Sequence, residues 1–353
     1  MARTDRLGKL KPCAHGSTTT EGVLDFSTNM YPVTLPAGIA AGLANALGCV
    51  GRYPDSESLA LKEIISKKYH TSPEQIIAGN GSTELIRLIA FCFGDAVSFI
   101  PQPTFGEYGY SVLLSGGSVV SARIPEEEDF LVTKRILDEM PANTKLVFLC
   151  NPNNPTGRAI PQDAILAFLE KRDKDIIVVL DEVYQELSDI KSMTEKTAEY
   201  KNLIILKSLT KSYGLCGLRL GYAIADEKII QTIGKARPPW NVNALAQKAG
   251  VLCINHPYLQ KTREEAKSAK RFLLRKLGKL PLKTVPSETN FFLINVSETG
   301  YASSELARLL LARGVYVRDC SSFPHLDERY IRVGVKTREM NNILIEKLRE
   351  VLE

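Results

Sequence analysis

The most constraining feature of this chain is a series of short, predominantly apolar runs at residues 97–100, 145–150, 175–180 and 203–206. They lack the alternation of a half-exposed strand, so both faces of each must be covered, which suits parallel strands packed between crossover helices. Segments of helical spacing lie between them, at 82–93 after the AGNGST turn, around 134–139 and at 161–171, with a further strand-like stretch at 118–124. The run at 97–100 is stopped by Pro101 and Pro103. The expected architecture is a three-layer α/β/α unit with a mostly parallel sheet. Two of the runs end in polar residues, Asn151 and Asp181, where an open sheet of this kind gathers its ligands.

The pattern changes after Trp240. A single long helix is expected over 244–277, then a strand at 290–296, a helix at 303–312, a strand at 316–318, a strand at 330–335 and a helix at 340–352. These suit a smaller α+β C-terminal domain. The predicted boundaries are 1–45 for an N-terminal segment packing on the small lobe and the site mouth, 46–243 for the large domain, and 244–353 for a linking helix with the small domain. Before about residue 71 the periodic signal is weak.

A length of 353 residues with 44% hydrophobic and 24% charged side chains is that of an ordinary globular chain. The net charge of +5 is small, and the basic run 261–279 (KTREEAKSAKRFLLRKLGK) mixes acids and apolar positions at helical spacing. It reads as an amphipathic surface helix, and no nucleic-acid partner is expected. No apolar run approaches the roughly 20 residues of a membrane span, and MARTDRLGKLKP lacks the apolar core of a signal peptide. A cytoplasmic location without membrane association is expected. Seven scattered cysteines without CxxC spacing favour neither a disulfide framework nor a zinc site, so no metal is expected and most should be small buried residues.

Lys211 follows the run 203–206 within SLTKSYGLCGLRLGY. A buried amine there can form a Schiff base with an aldehyde once its proton is displaced, while Ser208 and Arg219 can hold a phosphate. Those are the needs of pyridoxal 5′-phosphate. That cofactor also wants an anion at its ring nitrogen, for which Asp181 in IIVVLDEVYQE is placed, and hydrogen bonds to its 3′ oxygen, available from Tyr184 and from Asn154 in CNPNNPTG. Gly81, Ser82 and Thr83 at a helix start add phosphate donors.

The order of AGNGSTELI, PQPTFGEY, CNPNNPTG, DEVY, SLTKSYGLCGLRLGY and YIRVGV resembles fold type I pyridoxal phosphate enzymes, the class I/II aminotransferase superfamily, over nearly the whole chain. AHG at 14–16, LDFSTNMYP, RYPDSE, PPWNVNALA and VRDCSSFPHLDERYIRVGV are most similar to the threonine-phosphate decarboxylases of cobalamin biosynthesis, relatives of histidinol-phosphate aminotransferase. The resemblance implies Lys211, Asp181 and Tyr184 as the catalytic group. It implies Ser82, Thr83, Ser208 and Arg219 on the cofactor phosphate, Tyr184 and Asn154 on the 3′ oxygen, and Phe105 on the ring face. Tyr53 would reach the phosphate across a homodimer. For the substrate it implies Arg332 on the carboxylate, His15, Ser27, Asn29 and Arg318 on a phosphate, with Asn154 and Trp240 beside them. Lys207 stands where an arginine is common and would keep a positive charge for the cofactor. The implied reaction is decarboxylation of O-phospho-L-threonine or O-phospho-L-serine to an amino-alcohol phosphate for the cobalamin nucleotide-loop linker. The alternative is a histidinol-phosphate-type aminotransferase.

Overall fold

The computed structural model describes residues 7, 8 and 10–353, and in it the apolar runs join one seven-stranded sheet. The start of the sequence MARTDRLGKLKP, part of the expected 1–45 segment, therefore lies largely outside the described residues. In chain order the elements begin with β1 (Leu24–Asp25), α1 (Ala37–Asn45), α2 (Leu59–Tyr69), β2 (Ile76–Asn80), α3 (Ser82–Phe93), β3 (Val97–Phe99), α4 (Glu107–Ser115) and β4 (Ser118–Val120). Next come α5 (Lys134–Asp138), β5 (Thr144–Cys150), α6 (Gln162–Lys171), β6 (Ile177–Asp181), β7 (Leu203–Ser208), the single turn α7 (Leu209–Ser212) and β8 (Leu220–Ile224). The chain continues with α8 (Glu227–Ala236), α9 (Ala244–Cys253), α10 (Tyr258–Leu277), β9 (Lys283–Thr284) and β10 (Phe291–Asn295). It ends with α11 (Ser303–Leu311), β11 (Val315–Tyr316), β12 (Arg318–Asp319), β13 (Tyr330–Gly334) and α12 (Arg338–Leu352).

The large sheet runs β2-β8-β7-β6-β5-β3-β4, parallel except that β8 is antiparallel to both neighbours. Successive residues of each central strand feed opposite cores. Val147, Leu149, Val178, Leu180, Leu203 and Ile205 pack with α6 on one face. Leu146, Phe148, Val179, Ile204 and Leu206 pack with α3 and α8 on the other. This double burial is why those strands read as continuous apolar runs.

A second, antiparallel sheet, β12-β13-β10-β9, packs its apolar face on α10, α11 and α12. The N-terminal segment belongs to this packing: β1 pairs in parallel with β11, and Phe26 is buried in the same core. The backbone of Phe26 donates to Tyr316 O at 2.8 Å and accepts from Gly334 N at 2.8 Å. The basic run is the amphipathic helix expected, α10, burying Thr262, Ala266, Ala269, Leu273 and Leu277.

The structure departs from the sequence reading in several places. The single helix expected over 244–277 is broken between Cys253 and Tyr258. Pro257 has no N–H to continue the ladder, and the Tyr258 amide instead donates to His256 Nδ1 at 3.2 Å. The strand expected at 316–318 is two pieces in different sheets, divided at the fully buried Val317. The strand expected over 118–124 pairs regularly only to Val120, with one further bridge between Gln102 and Arg123. Ahead of residue 71 two helices form, and α1 buries only Ile39, which explains its weak signal. Cys150, Cys253 and Cys320 alone are buried, fewer than expected, because Cys49, Cys92 and Cys216 lie on helical surfaces and Cys13 lies in the irregular N-terminal segment. Among the described residues no helix is long and apolar enough to cross a membrane.

One glycine sets the distance between β8 and the start of α3. A Cβ added at Gly221 would lie 2.5 Å from Ser82 N and 3.0 Å from Lys207 O, both backbone atoms. Gly221→Ala is therefore expected to cost about 1–3 kcal/mol in thermal or denaturant unfolding, and to push the α3 turn away from β8.

Candidate active site

The carboxyl ends of the parallel strands converge on one cavity of about 380 Å³. Ser82 and Thr83 reach it because α3 starts there, behind Gly81 at φ 75°. Ser208 and Lys211 reach it through the turn after β7, where Ser208 Oγ accepts from Thr210 N at 3.1 Å. Arg219 enters from the turn before β8, with its guanidinium against the open side of Gly81. Three hydroxyl residues, a helix N-terminus and a guanidinium thus form a cradle of donors at one end of the cavity.

At the other end lies Asp181, the last residue of β6. Its Oδ2 accepts from Tyr108 Oη at 2.7 Å and its Oδ1 from Val183 N at 3.0 Å. Burial pushes its carboxyl up to about 6, and no cation pairs with it among the described residues. Burial, with the Arg332 and Arg219 guanidiniums nearby, brings the Lys211 ammonium down to about 8. Tyr184 and Asn154 line the space between, with Phe105 on one wall. The Tyr184 hydroxyl accepts from Asn29 Nδ2 at 3.1 Å, and burial holds its proton, up to about 12.

A second cavity, of about 150 Å³, adjoins the first through Lys211, Tyr184, Asn154 and Phe105. Arg318 and Arg332 lie opposite each other on β12 and β13, both buried. Their partners are neutral: Arg332 donates to Asn154 Oδ1 and to Ser27 O at 2.7 Å, while Arg318 donates to Ala14 O and Ser322 Oγ, each at 2.8 Å. Arg332 Nε is buried without a partner among the described residues. Two guanidinium charges therefore face one cavity uncompensated, the condition for holding anions. His15 stands at the mouth, its Nε2 3.0 Å from Glu107 Oε1 and its ring 6.0 Å from Phe105. Ser27 and Asn29 line the floor, held by the docking of β1.

Fourteen of the sequence-predicted residues are thus brought together: His15, Ser27, Asn29, Ser82, Thr83, Phe105, Asn154, Asp181, Tyr184, Ser208, Lys211, Arg219, Arg318 and Arg332. Tyr53 and Trp240 are not. They stack on each other at 4.4 Å between ring centroids, 79% and 46% exposed, away from both cavities of their own chain. Lys207 does not face the cofactor side either. Side chains alternate along β7, so with Ser208 pointing in, Lys207 points to the opposite face, where it pairs with Glu182 at 2.6 Å. Sequence reasoning missed Thr210, Tyr108 and Ser322. Thr210 adjoins Lys211 in SLTK and was legible there; the contacts of Tyr108 with Asp181 and of Ser322 with Arg318 arise only on folding.

Similarity to known proteins agrees with this geometry. The chain is 36% identical to histidinol-phosphate aminotransferase 2 of Carboxydothermus hydrogenoformans, over 89% of this chain and 87% of that one. It is 35% identical to a Caldanaerobacter subterraneus subsp. tengcongensis protein provisionally named a threonine-phosphate decarboxylase, over 98% of this chain and 95% of that one. The crystal structure of L-threonine-O-3-phosphate decarboxylase from Porphyromonas gingivalis superposes with a TM-score of 0.82 at 27% identity, covering 93% of this chain and 98% of that one.

The residues present fit pyridoxal phosphate: a donor cradle for its phosphate, an unpaired buried carboxylate for its ring nitrogen, and a lysine whose proton is easily displaced. Only a neutral amine attacks an aldehyde, so uptake of pyridoxal phosphate by the cofactor-free chain, followed by absorbance, is expected to rise about tenfold per pH unit up to about 8 and level off above it. Lys211→Ala is expected to abolish the covalent form at every pH. The sequence profile of aminotransferase class I and II matches residues 21–348, and the chain belongs to that family, whose cofactor is pyridoxal phosphate.

Proposed function

We propose that this protein decarboxylates an O-phosphorylated hydroxy amino acid, O-phospho-L-threonine or O-phospho-L-serine, to an amino-alcohol phosphate such as 1-amino-2-propanol phosphate. The observation that carries this reading is the pair of charge-uncompensated arginines in the small cavity beside Lys211. Of the two, Arg332 is the one whose charge helps lower the Lys211 ammonium, and it suits the α-carboxylate. Arg318, with Ser322 and His15, suits a second anion farther out. A substrate with a carboxylate and a phosphate on one short skeleton meets both. Alignment with the threonine-phosphate decarboxylase relative over 98% of the chain, the N-terminal segment included, supports the same choice.

Bound pyridoxal phosphate supplies an electron sink for the bond broken at the substrate α carbon. Asp181 would keep a proton on the ring nitrogen by offering a buried negative charge there. Ser82, Thr83, Ser208 and Arg219 would anchor the phosphate end, while Tyr184 and Asn154 would bond the 3′ oxygen. Arg332, steadied by Asn154 and Ser27 O, would hold the substrate carboxylate in the orientation from which it is lost. With carbon dioxide as the leaving group and its bonding electrons taken up by the cofactor, Lys211 Nζ would deliver a proton to the α carbon.

The second reading, a histidinol-phosphate-type aminotransferase, is favoured by relatives of that name at 32–36% identity. It uses the same cofactor contacts, with the α hydrogen in place of the carboxylate. Under either reading the exposed Tyr53–Trp240 stack, with Leu47, Val50 and Leu59 also exposed, suits the contact between two copies, Tyr53 reaching the phosphate cradle of the other protomer and Trp240 the substrate mouth. The units 1–45, 46–243 and 244–353 are kept in this reading, the first attached to the last by the β1–β11 pairing. A cytoplasmic setting is supported by seven free cysteines.

The holoenzyme is expected to release carbon dioxide from O-phospho-L-threonine or O-phospho-L-serine without a keto acid. Glutamate-forming exchange between histidinol phosphate and 2-oxoglutarate, with no carbon dioxide, would establish the second reading instead. Arg318→Gln is expected to raise KM for the phosphorylated substrate about 10- to 100-fold while leaving cofactor affinity unchanged.

A further inference from the structure

The strand ends that carry Asp181 and Lys211 are joined on their far side by a buried ion pair. Lys207 Nζ lies 2.6 Å from Glu182 Oε2, with both side chains almost wholly removed from solvent. Each charge is also hydrogen-bonded. Lys207 Nζ donates to Gln185 Oε1 at 2.9 Å and Ser192 Oγ at 3.1 Å. Glu182 accepts from Ser192 Oγ at 2.5 Å and from Met193 N at 2.7 Å. Glu182 is the residue after Asp181, and Lys207 the residue before Ser208, on parallel strands where Asp181 lies opposite Leu206.

Such a pair is a poor source of stability. Desolvating two charges offsets most of their attraction, and apolar residues of similar volume commonly do as well or better. What an ion pair supplies and apolar packing does not is a defined distance between two named atoms. Here that distance links the strand end bearing the ring-nitrogen carboxylate to the strand end bearing the phosphate cradle and the Schiff-base lysine. The pair also places a cation beside the carboxylate of Glu182, so that the negative charge next to Asp181 in the chain is compensated.

We propose that Lys207 and Glu182 are positioning residues for the cofactor: their buried pair, closed by Ser192, sets the separation of Asp181 from Ser208 and Lys211 and screens Asp181 from the adjacent carboxylate. The pair touches neither cofactor nor substrate and acts through its chain neighbours. The inference depends on the pyridoxal phosphate site and not on which substrate is used.

The test uses holoenzyme without substrate. In the double variant Lys207→Met/Glu182→Leu, which removes both charges together, pyridoxal phosphate is expected to bind about tenfold more weakly. The pH midpoint of the bound cofactor's absorbance is expected to move by roughly half a unit or more. Ser192→Ala removes the bridging hydroxyl without stranding a charge, and is expected to weaken binding by about two- to fourfold and to move the midpoint less. A folded double variant with parental affinity and midpoint overturns the proposal, whatever its Tm. If the double variant does not fold, Ser192→Ala decides: parental affinity and midpoint there overturn it as well.

Discussion

Parallel pairing of β5, β6 and β7, with apolar residues covering both faces, is the constraint on which the rest of this molecule depends. Because the strands are buried on both sides, their polar residues can occur only at the ends, and parallel direction brings those ends to one edge. Asp181, Ser208 and the turn to Lys211 are neighbours in space for this reason, although 27 positions separate Asp181 from Ser208 in sequence. Gly221 and the α3 start complete the edge by letting a helix N-terminus approach β8 and β7 at backbone distance.

Burial also gives the site its chemistry. The same exclusion of water that raises the Asp181 carboxyl lowers the Lys211 ammonium, and the two are kept apart, not paired. A salt bridge between them would satisfy both and leave neither available. The second cavity follows the same rule: Arg318 and Arg332 are held by carbonyl, amide and hydroxyl oxygens, so their directions are set while their charges stay unspent. Each such buried charge without a counterion costs folding free energy. Function here is stored as incomplete compensation. Behind the sheet the opposite rule holds, with Lys207 and Glu182 fully satisfied by each other and by Gln185, Ser192 and Met193.

Much of this was legible in the chain itself. The doubly buried strands, the helix after AGNGST and the amphipathic α10 follow from periodicity and turn chemistry, which are local. Lys211, Asp181, Asn154 and Arg219 were legible because each sits at a fixed offset from a strand end or glycine turn. The unbroken helix over 244–277 failed since helical spacing resumes after Pro257 and hides the interruption. The alternation of β7 turns Lys207 away from the cavity and toward Glu182, which its charge alone does not reveal. The exposure of Tyr53 and Trp240 has no local signature, since residue type alone does not separate an exposed aromatic side chain from a core one.

By itself, then, the sequence determined the α/β architecture, the edge at which ligands gather and the residue types of a pyridoxal phosphate site, because those depend on short-range pattern and on side-chain chemistry. Tertiary structure alone decided that Arg318 and Arg332 share one cavity, that β1 docks beside β11 to bring Ser27 and Asn29 under them, and that Tyr108 braces Asp181. Those contacts join residues as much as 305 positions apart, and no local periodicity encodes which distant strands will lie side by side.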